Sequence, residues 1–423
     1  MTGSVYRMSQ QSEYSRTVFH AVSEPELVAL AQRMIRIPSF FFEEHNVADD
    51  LGEYLAEAGF DVDMMSVEHP WEDGKTTRQP IATLRGGGNG KTLMINGHID
   101  TNVMMSGWTV DPYEGLVEDG WLWGLGAQDD KGGMAAAIMG IKTIIDAGIS
   151  LAGDVVICPV AAHKLGGTGT RTLLRKGVTA DYCINIEHAA NTIGTVCNGS
   201  VRVKVSTTTP GLFFRFTQEA RDTYTNAIEQ QALLIKYFGS SLTNNLPNNW
   251  LTHIPHPELT DFPMIRYDTI HKDHYGRGCD LMFQVRTVPG MTLDSVTKDV
   301  ERVMQGINEI PNLDYELTIP ANGKDDPYFM DPMEIAHDHP LVVSLAAGQE
   351  FASGKPAQLG SVERIGNYGD GNVLAAAGIP SVQYGPGDIK VYPEWPAPDE
   401  RVQISELMVT ARAVAHTALE LCG

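Results

Sequence analysis

Apolar positions first recur at helical spacing between Ser23 and Pro38, where Leu27, Leu30, Met34 and Ile35 fall on one face. Ser23 followed by Glu24, Pro25 and Glu26 is an N-terminal capping signature, so the spacing predicts a helix that starts after Ser23 and stops by Pro38. A second helix is predicted over 43–58, closed by Gly59. Short β-rich runs at 80–84, 92–96 and 121–123 then alternate with Gly-rich turns. A helix at 132–147, a strand at 154–160, a helix at 168–176 and a strand at 182–186 follow. Alternation of this kind predicts an α/β fold with a mostly parallel mixed sheet.

The pattern changes after about Gly199. Val201-Arg202-Val203-Lys204-Val205 alternates like a half-exposed strand. It is followed by a helix at 225–238, an irregular Asn/Pro/His-rich stretch and a strand at 280–286. After the Pro289-Gly290 turn come a helix at 293–306 and a strand at 315–319, completing a β-α-β-β-α-β-like unit. Strand-helix alternation then resumes, with a strand at 381–384, a Gly/Pro-rich loop and a helix at 404–421. The expected organisation is a catalytic α/β domain of residues 1–198 and 321–423, interrupted by an α+β, ferredoxin-like insertion of residues 199–320. No internal repeat or low-complexity tract is visible.

The length of 423 residues accommodates that plan. Lys and Arg number 31 against 53 Asp and Glu, a formal charge of −22, which argues against nucleic acid or an anionic membrane surface as partner. Residues 1–22 contain no apolar leader core, and no apolar run has the length of a membrane span. The five cysteines are scattered without a C-x-x-C pair, and Cys158 ends the apolar run Val155-Val156-Ile157. This usage predicts buried thiols in a reduced, cytoplasmic protein rather than a disulfide framework or a cysteine zinc site.

The chemistry concentrates where predicted strands end. Asn96-Gly97-His98-Ile99-Asp100 places His98 and Asp100 at the carboxyl edge of a parallel sheet, where ligands gather in open α/β folds. A neutral imidazole ligates zinc or manganese, and a nearby carboxylate commonly holds its other nitrogen, the role expected of Asp100. A lone H-x-D is more simply a hydrogen-bonded histidine at a strand end. Asp129, in the Gly-rich loop Gly124-Leu125-Gly126-Ala127-Gln128-Asp129-Asp130-Lys131-Gly132-Gly133, could on its own be a helix cap. Together they favour a shared metal, with Glu187 as a third ligand from the end of a third strand. One histidine and two carboxylates suit Zn(II), Mn(II), Fe(II) or Co(II).

These motifs, with Trp108 to Pro112, Asn226-Ala227-Ile228, Arg286-Thr287-Val288-Pro289-Gly290, Gly385-Pro386-Gly387 and Pro398-Asp399-Glu400, carry a resemblance over nearly the whole chain. The chain resembles the metallopeptidase family that contains aminoacylase, glutamate carboxypeptidase, acetylornithine deacetylase and succinyl-diaminopimelate desuccinylase. The resemblance implies that the insertion is a lid and dimerisation domain, so a homo-oligomer of two or more chains is expected. It also implies two metals: one on His98, bridging Asp129 and Glu187, the other on Asp129, a second glutamate and a C-terminal histidine. Here the last two positions hold Lys164 and Pro396, which cannot bind a metal. The family's general-base glutamate falls on His163, and its lid histidine is lacking, since no histidine occurs between His188 and His253.

The expected site therefore holds one divalent transition metal, manganese or zinc in the first place, and holds it weakly. Its catalytic residues are expected to be His163 as base, Asp100 as the residue orienting His98, and Lys164 as a fixed cation. A metal that brings the pKa of water toward neutrality, beside a cation that anchors a carboxylate, suits displacement of an amine from a small acidic substrate. Within the family the resemblance extends to an aminohydrolase activity on aromatic amines. It implies conversion of 5-nitroanthranilate to 5-nitrosalicylate and ammonia by nucleophilic aromatic substitution, with Lys164, Arg286, Arg364 and Asn226 as substrate contacts. The alternatives are a one-metal N-acyl-amino-acid or dipeptide hydrolase, and a non-catalytic binding protein on a hydrolase fold.

Overall fold

The computed structural model describes residues 17–209, 226–239, 250–251, 256–259, 265–272, 277–310, 312–323, 326, 328–361, 369–392 and 395–423. The chain forms two compact units: Met1–Val196 with Glu334–Ile365 and Gly369–Gly423, and Cys197–Met333 with Gly366–Tyr368.

The first unit begins as its capping residues dictate. Ser23 Oγ accepts the Glu26 N–H at 3.4 Å, and the helix Glu24–Ile35 buries Leu27, Leu30, Ala31, Met34 and Ile35. The helix His45–Glu57 follows. An eight-stranded mixed sheet then runs in the order Asp61–Glu68, Thr76–Leu84, Val155–Val160, Leu93–His98, Tyr182–Ile186, Ser381–Tyr384, Ile193–Gly194 and Leu359–Gly360. Its four central strands, from Val155–Val160 to Ser381–Tyr384, are mutually parallel. Leu93–His98 and Val155–Val160 are buried at every position, because helices cover both faces; hence their unbroken apolar runs. Alternate residues feed two cores. Ile95, Ile157 and Ile184 pack with the helices Lys131–Asp146, Pro340–Ser353 and Ile404–Cys422, while Met94, Val156, Cys158 and Cys183 pack with Leu173, Leu374 and Ile379.

The edge strand Asp61–Glu68 has no counterpart in the sequence expectation. It buries only Met65 and Val67, so no apolar alternation announces it, and its acidic residues discourage pairing by another chain. Among the described residues no helix is long and apolar enough to cross a membrane.

The second unit is an antiparallel sheet in the order Ile265–Lys272, Gly278–Thr287, Gly199–Thr208, Asp314–Thr318. With the helices Ala227–Phe238 and Leu293–Gln305 the chain order is β-α-β-β-α-β. Val203 pairs with Phe283 and Val205 with Leu281, giving this unit its own buried centre. Part of the stretch expected to be irregular is the strand Ile265–Lys272. An irregularity between Tyr267 and Thr269 breaks its alternation, which is why the period-two signal is lost.

In the first unit, Gly140 lets two core helices approach closely. A Cβ there would overlap the carbonyl oxygen of Ala411 on the helix Ile404–Cys422. Gly140→Ala should therefore lower the unfolding free energy by about 1–3 kcal/mol, the usual cost of overpacking, instead of giving the gain of a helical Gly→Ala change. Denaturant unfolding checks the sign.

Candidate metal centre

The parallel strands deliver their carboxyl ends to one edge of the sheet. Leu93–His98 ends on His98, Val155–Val160 leads into a single helical turn at His163–Leu165, and Tyr182–Ile186 leads into Glu187 and His188. Asp129 arrives from the loop before Lys131–Asp146, and Asp370 opens the short helix Asp370–Ala376.

His98 Nε2 lies 2.9 Å from Asp129 Oδ1, while its Nδ1 lies 2.8 Å from the Asp100 carbonyl oxygen. A carbonyl only accepts, so Nδ1 carries the proton, and in the neutral ring the Nε2 lone pair meets the carboxylate oxygen. Two lone pairs converging in a buried site fit a cation. His188 Nδ1, buried and without a hydrogen-bond partner, is 3.5 Å from both Asp129 Oδ1 and Glu187 Oε2. Two ligand groups result, His98 with His163 and Glu187, and Asp129 with Glu187 and His188. They share Glu187 and between them contain all three expected ligands.

Cations of the chain itself complete the cluster. Lys164 Nζ is 2.8 Å from Asp129 Oδ2, and Asn102 Nδ2 donates to the same oxygen at 2.7 Å. His163 stacks on His98 with ring centroids 4.3 Å apart; its Nε2 is 3.7 Å from Glu187 Oε1 and its Nδ1 3.2 Å from Asp370 Oδ2. Burial pulls the His163 pKa down, but the Asp370 and Glu187 carboxylates outweigh it and lift the imidazole to about 9. Burial likewise opposes the charge on His188, yet Asp129 and Glu187 raise it to about 10. Burial pushes Asp129 up, but Lys164 and His188 carry it well below the ordinary carboxylate range. Burial, with the Glu187 and Asp129 charges beside it, pushes the Asp130 carboxyl well above the ordinary carboxylate range.

The backbone is held by further buried groups. Glu400 Oε1 accepts the Gln128 and Asp129 N–H groups at 2.9 and 3.0 Å. Lys131 Nζ donates to the carbonyls of Met34 and Ile37, tying the start of its helix to the end of Glu24–Ile35.

The expected residues divide by position. His98, Asp129, Glu187, His163 and Lys164 come together. The Asp100 carbonyl is the hydrogen-bond partner of His98 Nδ1, and the Asp100 carboxylate, with Oδ1 3.6 Å from that nitrogen, accepts the N–H groups of His163 and Lys164 at 3.0 and 2.9 Å. Asn226 and Arg286 belong to the second unit. Asn226 caps Ala227–Phe238, its Oδ1 accepting the Ile228 N–H at 2.8 Å, and Arg286 lies half-buried opposite Ser200 on Gly278–Thr287. Arg364 lies outside the described residues. Without a metal, the Asp370 and Glu187 carboxylates beside His163 favour its protonated form.

His188, Asp370 and Asn102 were not singled out by the sequence. His188 carries a usable signal, since it follows Glu187 directly at a strand end. Asp370 carries none beyond being an aspartate before a short helix.

Fold and site together define the class: this protein is a metal-dependent hydrolase of carbon–nitrogen bonds. The chain belongs to Peptidase family M20/M25/M40, whose model matches residues 94–420. It is 25% identical to N-formyl-4-amino-5-aminomethyl-2-methylpyrimidine deformylase of Bacillus subtilis, over 94% of this chain and 95% of that one. It is 31% identical to succinyl-diaminopimelate desuccinylase of Gluconacetobacter diazotrophicus, over 43% of this chain and 49% of that one. Among solved structures it is similar to the M20 family metallo-carboxypeptidase Sso-CP2 of Sulfolobus solfataricus, with a TM-score of 0.71 at 15% identity, covering 94% of this chain and 99% of that one. These matches set aside the non-catalytic alternative.

Linkage gives a pH prediction for the metal-free protein. The folded His163 pKa, about 9, is raised above the ordinary 6.5, so its contribution to stability is complete below pH 6.5 and lost as pH rises through 9. Thermal unfolding in chelator should show this loss, and His163→Gln should flatten that window. An unchanged pH slope in the variant would contradict the assigned pairing.

Proposed function

We propose that this chain hydrolyses the C–N bond of a small acidic aromatic amine, with 5-nitroanthranilate giving 5-nitrosalicylate and ammonia. The observation that carries this reading is the Lys164 ammonium 2.8 Å from Asp129 Oδ2. A fixed ammonium on that oxygen leaves the carboxylate for one cation rather than two. His98, Asp129 and Glu187 would hold it, with His188 in reach. When bound, a divalent cation of the manganese or zinc type supplies Lewis-acid charge that makes water a nucleophile near neutral pH.

The chain's own residues supply the rest. An ammonium has three N–H donors, so Lys164 can meet a substrate carboxylate while keeping Asp129. Asp370 fixes His163 at Nδ1 and leaves Nε2 to move protons. In the substitution the water oxygen bonds to the ring carbon bearing nitrogen, and the electron pair spreads onto the nitro group. The C–N bond then breaks, and His163 hands the proton taken from water to the departing nitrogen. The half-exposed Trp395, with its ring 5.7 Å from that of His188, offers an aromatic ring a surface beside these groups. The insertion at 199–320 serves in this reading as lid and dimerisation domain of a homo-oligomer, and the free, buried cysteines suit a reduced cytoplasm.

A second reading follows from the Bacillus subtilis relative, a deformylase aligned over 94% of this chain: hydrolytic removal of an N-formyl or other N-acyl group from an amine. A substrate panel separates the two. Manganese-loaded protein should release ammonia from 5-nitroanthranilate with kcat/KM about a hundredfold above that for N-formyl aminopyrimidines, N-acetyl and N-succinyl amino acids or dipeptides. Release of formate or another acid without ammonia would favour the second reading. Lys164→Met should raise KM for the anthranilate about ten- to a hundredfold, the scale of one charge-assisted hydrogen bond.

A further inference from the structure

The His163–Leu165 turn must aim two side chains at two carboxylates, and its backbone is not one that alanine adopts freely. Ala162 enters it at φ 56° and ψ 36°, in the left-handed region, and Gly166 and Gly167 leave it at φ 70°. Three consecutive N–H groups point to carboxylate oxygens. His163 and Lys164 donate to the two oxygens of Asp100, and Ala162 donates to Glu44 Oε1 at 3.0 Å. The same Glu44 oxygen accepts the N–H of Phe42 at 2.9 Å, and Phe42 is also left-handed, at φ 64°. Glu44 is fully buried. It lies just before His45–Glu57, on a segment bound to the site's edge where Ser39 Oγ donates to the Ile99 carbonyl at 2.7 Å and the Ser39 carbonyl accepts from Thr101 at 2.9 Å.

We propose that Glu44 is a positioning residue that holds Ala162 left-handed and thereby keeps the Lys164 ammonium on Asp129. Asp100 pegs the turn to the strand of His98; Glu44 pegs it to the N-terminal segment. Without the Glu44 acceptor the Ala162 N–H is buried and unsatisfied, and the strained residue gains by rotating toward an ordinary conformation. That rotation swings Lys164 away and leaves Asp129 Oδ2 uncompensated. The inference rests on reading Lys164 as the fixed cation of the site, and its test requires no substrate.

Isothermal titration of the chelator-treated full chain with Mn²⁺ tests it. Glu44→Ala should bind Mn²⁺ about tenfold more tightly than the parent, the scale of removing one neighbouring positive charge in a partly screened site. Simple loosening of the fold would weaken binding, so the sign distinguishes positioning from general support. Lys164→Met should tighten binding to the same extent, and Glu44→Ala should add nothing in that background. If Glu44→Ala does not fold, Glu44→Asp replaces it, since its shorter side chain keeps the charge but falls short of Ala162. Unchanged or weaker Mn²⁺ binding in the folded Glu44 variant, or additive effects in the double variant, would overturn the proposal. Tightening by Lys164→Met alone would leave the single-cation reading standing and remove Glu44 from it.

Discussion

The pairing of the Lys164 ammonium with Asp129 governs the rest of this site. Asp129 is buried, so its charge is tolerated only because Lys164, Asn102 and His98 meet its two oxygens. One oxygen faces the histidines and the other faces the lysine. A carboxylate divided in this way presents one side to a metal and has the other already neutralised. Charges a few ångströms apart in a poorly hydrated pocket interact strongly, so Lys164 also sets the protonation of its neighbours.

The fold keeps this concentration of charge in register by anchoring backbone rather than side chains. Glu400 holds the N–H groups of Gln128 and Asp129, Asp100 those of His163 and Lys164, and Glu44 that of Ala162. Each is a buried carboxylate whose cost is offset by hydrogen bonds to N–H groups that the turns leave unpaired. Burial and the Asp129 charge raise Glu400 to about 7, and burial with Asp100 raises Glu44 to about 7. Such groups are expensive for stability, and the apolar cores on both faces of the sheet offset them.

Much of the first unit was legible because its signals are local. The apolar run before His98 and the one before Glu187 are strands buried on both sides, so the residues that end them had to emerge at one edge. The loop around Asp129 was legible from its glycines and from the helix Lys131–Asp146 that follows it. His188, Asp370 and Asn102 act through spatial partners far along the chain, and no spacing rule brings His188 to Asp129 or Asp370 to His163. Asp100 was expected beside His98, but the sequence does not reveal that its carbonyl is the hydrogen-bond partner or that its carboxylate also accepts the N–H groups of His163 and Lys164. The strands Asp61–Glu68 and Ile265–Lys272 escaped because edge exposure in one and a broken register in the other remove the period-two pattern.

The proposed function turns on one metal ion, with the Lys164 ammonium standing beside Asp129 where the family resemblance implies a second. Counting Mn²⁺ bound per chain in the intact, metal-loaded protein, by native mass spectrometry alongside elemental analysis, tests it most directly. The account predicts a single ion in the parent and a second one when Lys164→Glu and Pro396→His together supply the two missing ligands. Two ions in the parent would contradict it.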